Sequence, residues 1–208
     1  MKPTIGVLAL QGDFREHARA LTRCGAGTIE VRHSHQLDRV DGLVIPGGES
    51  TAIDTLCKDN LDPIFARIKQ LGASGLPIYG TCMGSIFLAT EIEGSTQGRL
   101  ALMDIKVRRN AFGPQRYSFE TDLAIEALGS EPYPAVFIRA PMILSCGSRV
   151  QVLAELEDGI AMARQGNLLV TTFHPEITSD SRVHQYFVDM VQAQRQTTAV
   201  QAPQLVAV

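Results

Sequence analysis

A cysteine stands between two glycines, each two residues away, in Gly80-Thr81-Cys82-Met83-Gly84; the apolar run Leu76 to Tyr79 precedes it and a helix-like stretch, Ser85 to Glu91, follows. This is the sequence form of a nucleophile elbow, a sharp strand-to-helix turn that lifts the central side chain out of the sheet. Side chains at positions 80 and 84 would collide across such a turn, which accounts for glycine at both. The helix N-terminus behind Cys82 favours a thiolate over a thiol. Taken alone, the pentapeptide also suits an inert buried cysteine.

A second group, His174-Pro175-Glu176, directly follows the apolar run Leu168 to Phe173. In extended backbone, residues i and i+2 point to the same side, so Glu176 can flank the His174 ring, fix its tautomer and stabilise its charged form. A cysteine nucleophile needs a base, and the base gains from an orienting acid; Cys82, His174 and Glu176 supply those parts in that order. An isolated His-Pro-Glu reads as a solvated turn. Its pairing with a cysteine elbow at another strand's C-terminal end favours chemistry, because ligand sites in parallel sheets gather at that edge. The third group is Pro46-Gly47-Gly48-Glu49-Ser50, after the strand-like Leu43 to Ile45. Paired glycines let backbone N–H groups approach a ligand, as an oxyanion hole requires. The same residues also fit a plain strand-to-helix turn with Ser50 or Glu49 near the helix start. No Gly-Lys-Ser/Thr follows, so this is not a phosphate-binding P-loop.

The elements that must position these groups alternate along the first half of the chain. Thr4 to Leu10, Thr28 to Val31, Gly42 to Ile45 and Leu76 to Tyr79 read as buried strands, and Phe14 to Cys24, Thr51 to Cys57 and Pro63 to Leu71 as helices. That alternation predicts an open α/β three-layer sandwich with a mainly parallel central sheet. Beyond Glu91 the texture becomes strand-rich: Leu102 to Arg108, Tyr117 to Leu123, Ala135 to Ile138, Val150 to Leu156, Ile160 to Ala163 and Leu168 to Phe173. Turn signals at Asp158-Gly159 and Gln165-Gly166-Asn167 mark an antiparallel or mixed β extension. A final amphipathic helix is expected from Asp180 to Gln194, with residues 1–194 forming a single domain and the aperiodic residues 195–208 a mobile tail.

At 208 residues the chain is long enough for one well-packed domain. A net charge of -3 gives no reason to expect nucleic acid or an anionic membrane as partner. The apolar start, Ile5 to Leu10, is too short to span a bilayer and reads as a first strand rather than a signal peptide. The four cysteines (Cys24, Cys57, Cys82, Cys146) lack zinc-type spacing, and a cytoplasmic protein with reduced thiols is the simpler reading. Arg15-Glu16-His17 reads as a solvated helix start without a role, and His33, His35 and His184 form no metal pattern.

On these groups the chain resembles the class I, triad-type glutamine amidotransferases, and within them closely resembles the glutaminase subunits of two-subunit pyridoxal 5'-phosphate synthases. Beyond the three groups, the likeness lies in Ile5 to Gly12, Arg109-Asn110-Ala111-Phe112-Gly113, Val136 to Pro141 and Ala163 to Gly166, and it covers about residues 4 to 194. It implies a flavodoxin-like fold and hydrolysis of L-glutamine to glutamate and ammonia through a glutamyl-thioester. Cys82 would be the nucleophile, His174 the acid and base, and Glu176 its orienting group. Gly47 and Gly48 would serve the oxyanion, and Glu49, Arg109, Ile138 and Arg139 the glutamine pocket. A guanidinium suits the substrate's α-carboxylate because it can bond bidentately; apart from the resemblance, Arg109 and Arg139 read as salt-bridge residues of the extension. No metal or organic cofactor is expected. The implied partner is the synthase subunit that receives the ammonia, with Gln11-Gly12 helping to couple the two. The family's glutaminases often rest in an incompetent state until that partner binds. Met83 stands where the family usually has Ala and would narrow the pocket; Ala111 replaces a common Ser, and Pro114 a usual basic residue. Alternatives are an amidotransferase subunit for another acceptor and a non-catalytic regulatory module with Cys82 as a reactive thiol.

Overall fold

A computed structural model of the chain describes residues 2–48, 63–97, 99–112 and 118–201. The expected helix Thr51 to Cys57 lies outside them, as do Glu49, Ser50, Gly113 and Pro114. The strands are β1 Thr4–Leu8, β2 Gly27–Val31, β3 Gly42–Ile45, β4 Ile78–Thr81, β5 Ala89–Ile92, β6 Met103–Arg108, β7 Ser118–Leu123, β8 Tyr133–Ile138, β9 Met142–Cys146, β10 Gln151–Leu156, β11 Gly159–Gln165 and β12 Leu168–Thr171. The α-helices are α1 Phe14–Arg23, α2 Ile64–Ala73, α3 Met83–Leu88 and α4 Arg182–Gln201.

Five strands form the parallel part in the order β2-β1-β3-β4-β12. The sheet does not stop there. β11 turns back on β12 through Gly166-Asn167 and pairs antiparallel with it, and β9, β6 and β5 continue the sheet, with β10 on β11. The β extension is thus mostly the same sheet carried onward, and only β7 and β8 pair apart from it.

The parallel strands are buried on both faces, and their alternation sorts the core. Leu43, Ile45 and Ile78 pack with Ile64 and Ile68 of α2 and with Ile86 of α3. Val44 and Tyr79, one residue out of step, pack on the other face with Leu21 of α1, Phe187 of α4 and Phe137 of β8. Each such aliphatic burial contributes about 1.5–3 kcal/mol. A one-residue slip of β3 would exchange the two faces, so its register is firmly set. That register puts the ends of β1, β3, β4 and β12 side by side at one edge of the sheet.

Three elements differ from the sequence reading. The helix after the elbow ends at Leu88 instead of Glu91, because Ala89–Ile92 joins β6 as β5. β9 went unanticipated: only its first three residues are apolar, and its place is fixed by the partners β6 and β11. The last helix runs to Gln201, so residues 195–201 are not an irregular tail. Extending a formed helix costs little, and the Thr197 and Thr198 hydroxyls donate to carbonyls one turn back, at Ala193 and Gln194. Among the described residues no helix is long and apolar enough to cross a membrane.

Candidate active site

Cys82 sits between β4 and α3 with φ 48° and ψ -108°, a conformation costly for a residue with a side chain. The neighbourhood imposes it. The Cys82 N–H donates to the Thr171 carbonyl at 2.8 Å, and the Cys82 carbonyl accepts from the Ser85 hydroxyl at 2.6 Å. The flanking glycines answer to close approach: a Cβ at Gly80 would lie 2.5 Å from the Gly84 carbonyl oxygen, and one at Gly84 2.2 Å from that of Ile45. The turn can therefore press against β3 only without side chains at those positions.

His174 follows β12, the strand paired with β4, and its N–H donates to the Val136 carbonyl. Its Nδ1 lies 2.7 Å from Glu176 Oε1, both groups being buried. Burial pulls the His174 ring down, but its bonds to Cys82 and Glu176 outweigh this and raise it to about 10. Burial likewise pushes the Glu176 carboxyl up, yet His17 and His174 together hold it at about 2. The pair is thus an imidazolium beside a carboxylate, with the second ring nitrogen left for the cysteine.

Gly47 lies between nucleophile and base: a Cβ there would be 2.7 Å from His174 Cε1 and 3.3 Å from Cys82 Cβ. Its N–H donates to Thr81 Oγ1 at 3.0 Å, so in this conformation it is engaged by a side chain. Thr81, immediately before the nucleophile, is buried and takes that bond. Gly48 has φ 145°, and its would-be Cβ falls 1.9 Å from Gln11 Oε1. Gln11 and Gly12 thus pack directly on the glycine pair.

A cavity of about 310 Å³ opens over these groups, lined by Gly48, Cys82, Met83, His174, Arg109, Ile138 and Arg139, with the Ile138 carbonyl 4.0 Å from Cys82 Sγ. Arg109 donates to the Gln97 amide oxygen at 2.9 Å, and neither arginine pairs with a carboxylate among the described residues. Arg139 and Asn110 hold φ of 43° and 46°, a strained geometry that aims this rim at the cavity. Sequence reasoning missed Asp13, Asn110 and Ile86 as lining residues; neither spacing nor composition distinguishes them. Glu49 lies outside the described residues.

Sequence reasoning also misplaced a histidine. His17, expected on a solvated surface, is wholly buried, as is His184, and both stand behind Glu176. A helical stripe was the available signal, since His17 shares a face with Phe14 and Leu21, three and four residues away. Asp13, His174 and Glu176 bring potential metal-ligand atoms within 4.8 Å of one another, though His174 Nδ1 and Glu176 Oε1 are already bonded together. Cys24, Cys82 and Cys146 are free thiols.

Comparison with known proteins extends this picture. The SNO glutamine amidotransferase family matches over residues 7–193. The pyridoxal 5'-phosphate synthase subunit PdxT of Carboxydothermus hydrogenoformans is 56% identical over 189 residues, covering 90% of this chain and 97% of that one. The protein of the same name from Pelotomaculum thermopropionicum is 55% identical over 186 residues, covering 89% and 93%. A crystal structure of a glutamine amidotransferase superposes with a TM-score of 0.84 at 45% identity, covering 90% of this chain and 98% of that one. A chain of PurLQS from Thermotoga maritima, 18% identical, shares the fold with a TM-score of 0.67, covering 93% and 100%.

Proposed function

The chain belongs to the SNO glutamine amidotransferase family, and from that premise we propose that it is the cytoplasmic glutaminase subunit of a pyridoxal 5'-phosphate synthase, acting in a hetero-oligomer with the synthase subunit. The observation that carries this reading is a cavity lined by Cys82, His174, Arg109 and Arg139, with Glu176 bonded to His174 from behind. A free amino acid with an amide side chain suits that cavity, because the guanidinium groups offer a bidentate seat for its α-carboxylate.

In the reaction, the Cys82 thiolate attacks the side-chain amide carbon and the carbonyl oxygen gains the negative charge. His174, charged beside Glu176, gives its proton to the departing nitrogen, and ammonia leaves a glutamyl-thioester. The now neutral His174 takes a proton from water, whose oxygen attacks the thioester; glutamate departs and the thiolate returns. Glu176 keeps the ring aligned through both transfers. The oxyanion needs N–H donors about 3 Å away. Gly47 N–H stays tied to Thr81; a turn of the Gly47-Gly48 peptide brings the Gly48 N–H to the oxyanion, and Gln11-Gly12, packed on that peptide, is where the synthase subunit acts on it.

The test is glutamate release from glutamine by the purified chain, with and without the synthase subunit from the same source, beside Cys82→Ala. Release that rises with the partner and disappears in the variant is expected. Release that depends on Cys82 but ignores the partner would sink the assigned acceptor and keep the glutaminase.

A further inference from the structure

Behind the reacting groups the fold buries two imidazoles that the hydrolysis above leaves without a task. His17 of α1 and His184 of α4 are fully shielded from solvent. Polar rings are costly to bury unless their bonds are met. These bonds run in a line toward the site: His184 Nε2 is 3.0 Å from His17 Nδ1, and His17 Nε2 is 3.1 Å from Thr81 Oγ1 and 3.2 Å from Glu176 Oε2.

The positions of the protons follow from what each arrangement would leave unmet. Suppose His17 carried its proton on Nδ1. Its Nε2 lone pair would then face the Glu176 carboxylate, and His184 would hold a proton on Nδ1, which has no partner among the described residues. His184 Nδ1 goes unmet in either arrangement, so the choice falls to the repulsion between the His17 Nε2 lone pair and the carboxylate 3.2 Å away. With the proton on His184 Nε2 instead, His17 Nδ1 accepts it and His17 Nε2–H donates to Thr81 Oγ1, with Glu176 Oε2 3.2 Å away. Burial keeps both rings from charging, lowering His17 and taking His184 to about 3.

Glu176 spends Oε1 on His174, and Oε2 has no aligned donor among the described residues; His17 Nε2 is the donor within reach of it. Thr81 Oγ1 holds the Gly47 N–H. One neutral imidazole therefore touches both the carboxylate that orients the base and the hydroxyl that holds the glycine loop. We propose that His17 is a positioning residue for glutamine hydrolysis, its Nε2–H fixing Glu176 and tying it to Thr81, with His184 setting its tautomer. The inference rests on the glutaminase reading.

The experiment compares His17→Leu, His17→Gln, His17→Asn and His184→Leu in the full chain assayed with its synthase subunit, with wild type and Cys82→Ala as controls. A glutamine side chain can bring an amide N–H near the Nε2 position; an asparagine reaches only the Nδ1 position. Leu and Asn at position 17 should lower kcat roughly 10- to 100-fold, as a misplaced base would, while KM stays within about twofold. Gln should recover most of that loss, and His184→Leu should fall between. A folded His17→Leu with wild-type kcat, even at a lowered melting temperature, would make His17 a mere core residue and overturn the proposal. If His17→Leu does not fold, the Gln and Asn variants decide: rescue by Gln alone supports the proposal, and equal loss in both overturns it. Wild type that releases no glutamate, or release that survives Cys82→Ala, would strike down the glutaminase reading and this proposal with it.

Discussion

The two sides of the cavity are built on different terms. On one side Cys82, His174 and Glu176 are 6%, 6% and 5% exposed, and the strands leading to them pair directly, Thr81 beside Thr171. On the other side Ile138 and Arg139 are exposed at the end of β8, and the rim holds positive φ at Asn110 and Arg139. Proton transfer tolerates little misplacement, so its groups borrow rigidity from adjacent strands of a two-faced core. Groups that must admit and release a charged amino acid sit where backbone can rearrange. Under the proposed reading, preorganisation belongs to the bond-making side, and adaptability to the recognition side.

Substitutions on the rigid side should therefore act on kcat. Glu176→Gln removes the charge that holds the His174 imidazolium and should reduce kcat about 1,000-fold with KM little changed, by analogy with loss of the acid in other triads; a mainly KM effect in steady-state kinetics would break the comparison. Next in size is Gly48→Ala, on the boundary between the sides. Its φ of 145° and the 1.9 Å approach of Gln11 penalise any side chain. With strain of about 1–3 kcal/mol, glutaminase should fall about 10- to 100-fold while the melting temperature drops by about 2–10 °C and the chain stays folded. Unchanged activity would remove the Gly47-Gly48 peptide as the switch.

Smaller effects are expected at the rim. Arg109→Ala and Arg139→Ala should each raise KM about 10-fold and leave kcat within about threefold, as loss of ground-state binding does. A kcat-dominated loss would move these arginines to the rigid side. The smallest effect is on stability. Glu176, held at about 2 against an ordinary 4.5, stabilises the fold fully above pH 4.5 and loses that contribution as pH falls toward 2. His174, raised to about 10 from 6.5, stabilises fully below pH 6.5 and loses it as pH rises toward 10. The wild type's advantage over Glu176→Gln, a few degrees in melting temperature, should peak between those windows, from pH 4.5 to 6.5, and shrink on either side. An advantage that stays flat with pH would break the pair.

Much of this was open to sequence reading because it rests on local rules. A glycine-bracketed cysteine after an apolar run, a histidine and glutamate two apart after another, and alternating strand and helix periods each need only a few neighbouring residues to interpret. What escaped was whatever depended on partners distant in the chain. β9 is a strand because β6 and β11 flank it, whereas its own residues are apolar only in part. The sheet continues past β12 because β11 folds back on it, which no periodicity states.

Residue types and their spacing alone singled out Cys82, His174 and Glu176, the triad proposed here, and the parallel core that aligns strand ends. Tertiary structure alone decided that Gly47 N–H is held by Thr81, that Arg109 and Arg139 line one cavity with Cys82, and that His17 and His184 stand behind Glu176. The physical reason is that backbone conformation follows from near neighbours, whereas a hydrogen bond between residues 17 and 184, 167 positions apart, exists only once the core has brought α1 and α4 onto the same face of the sheet.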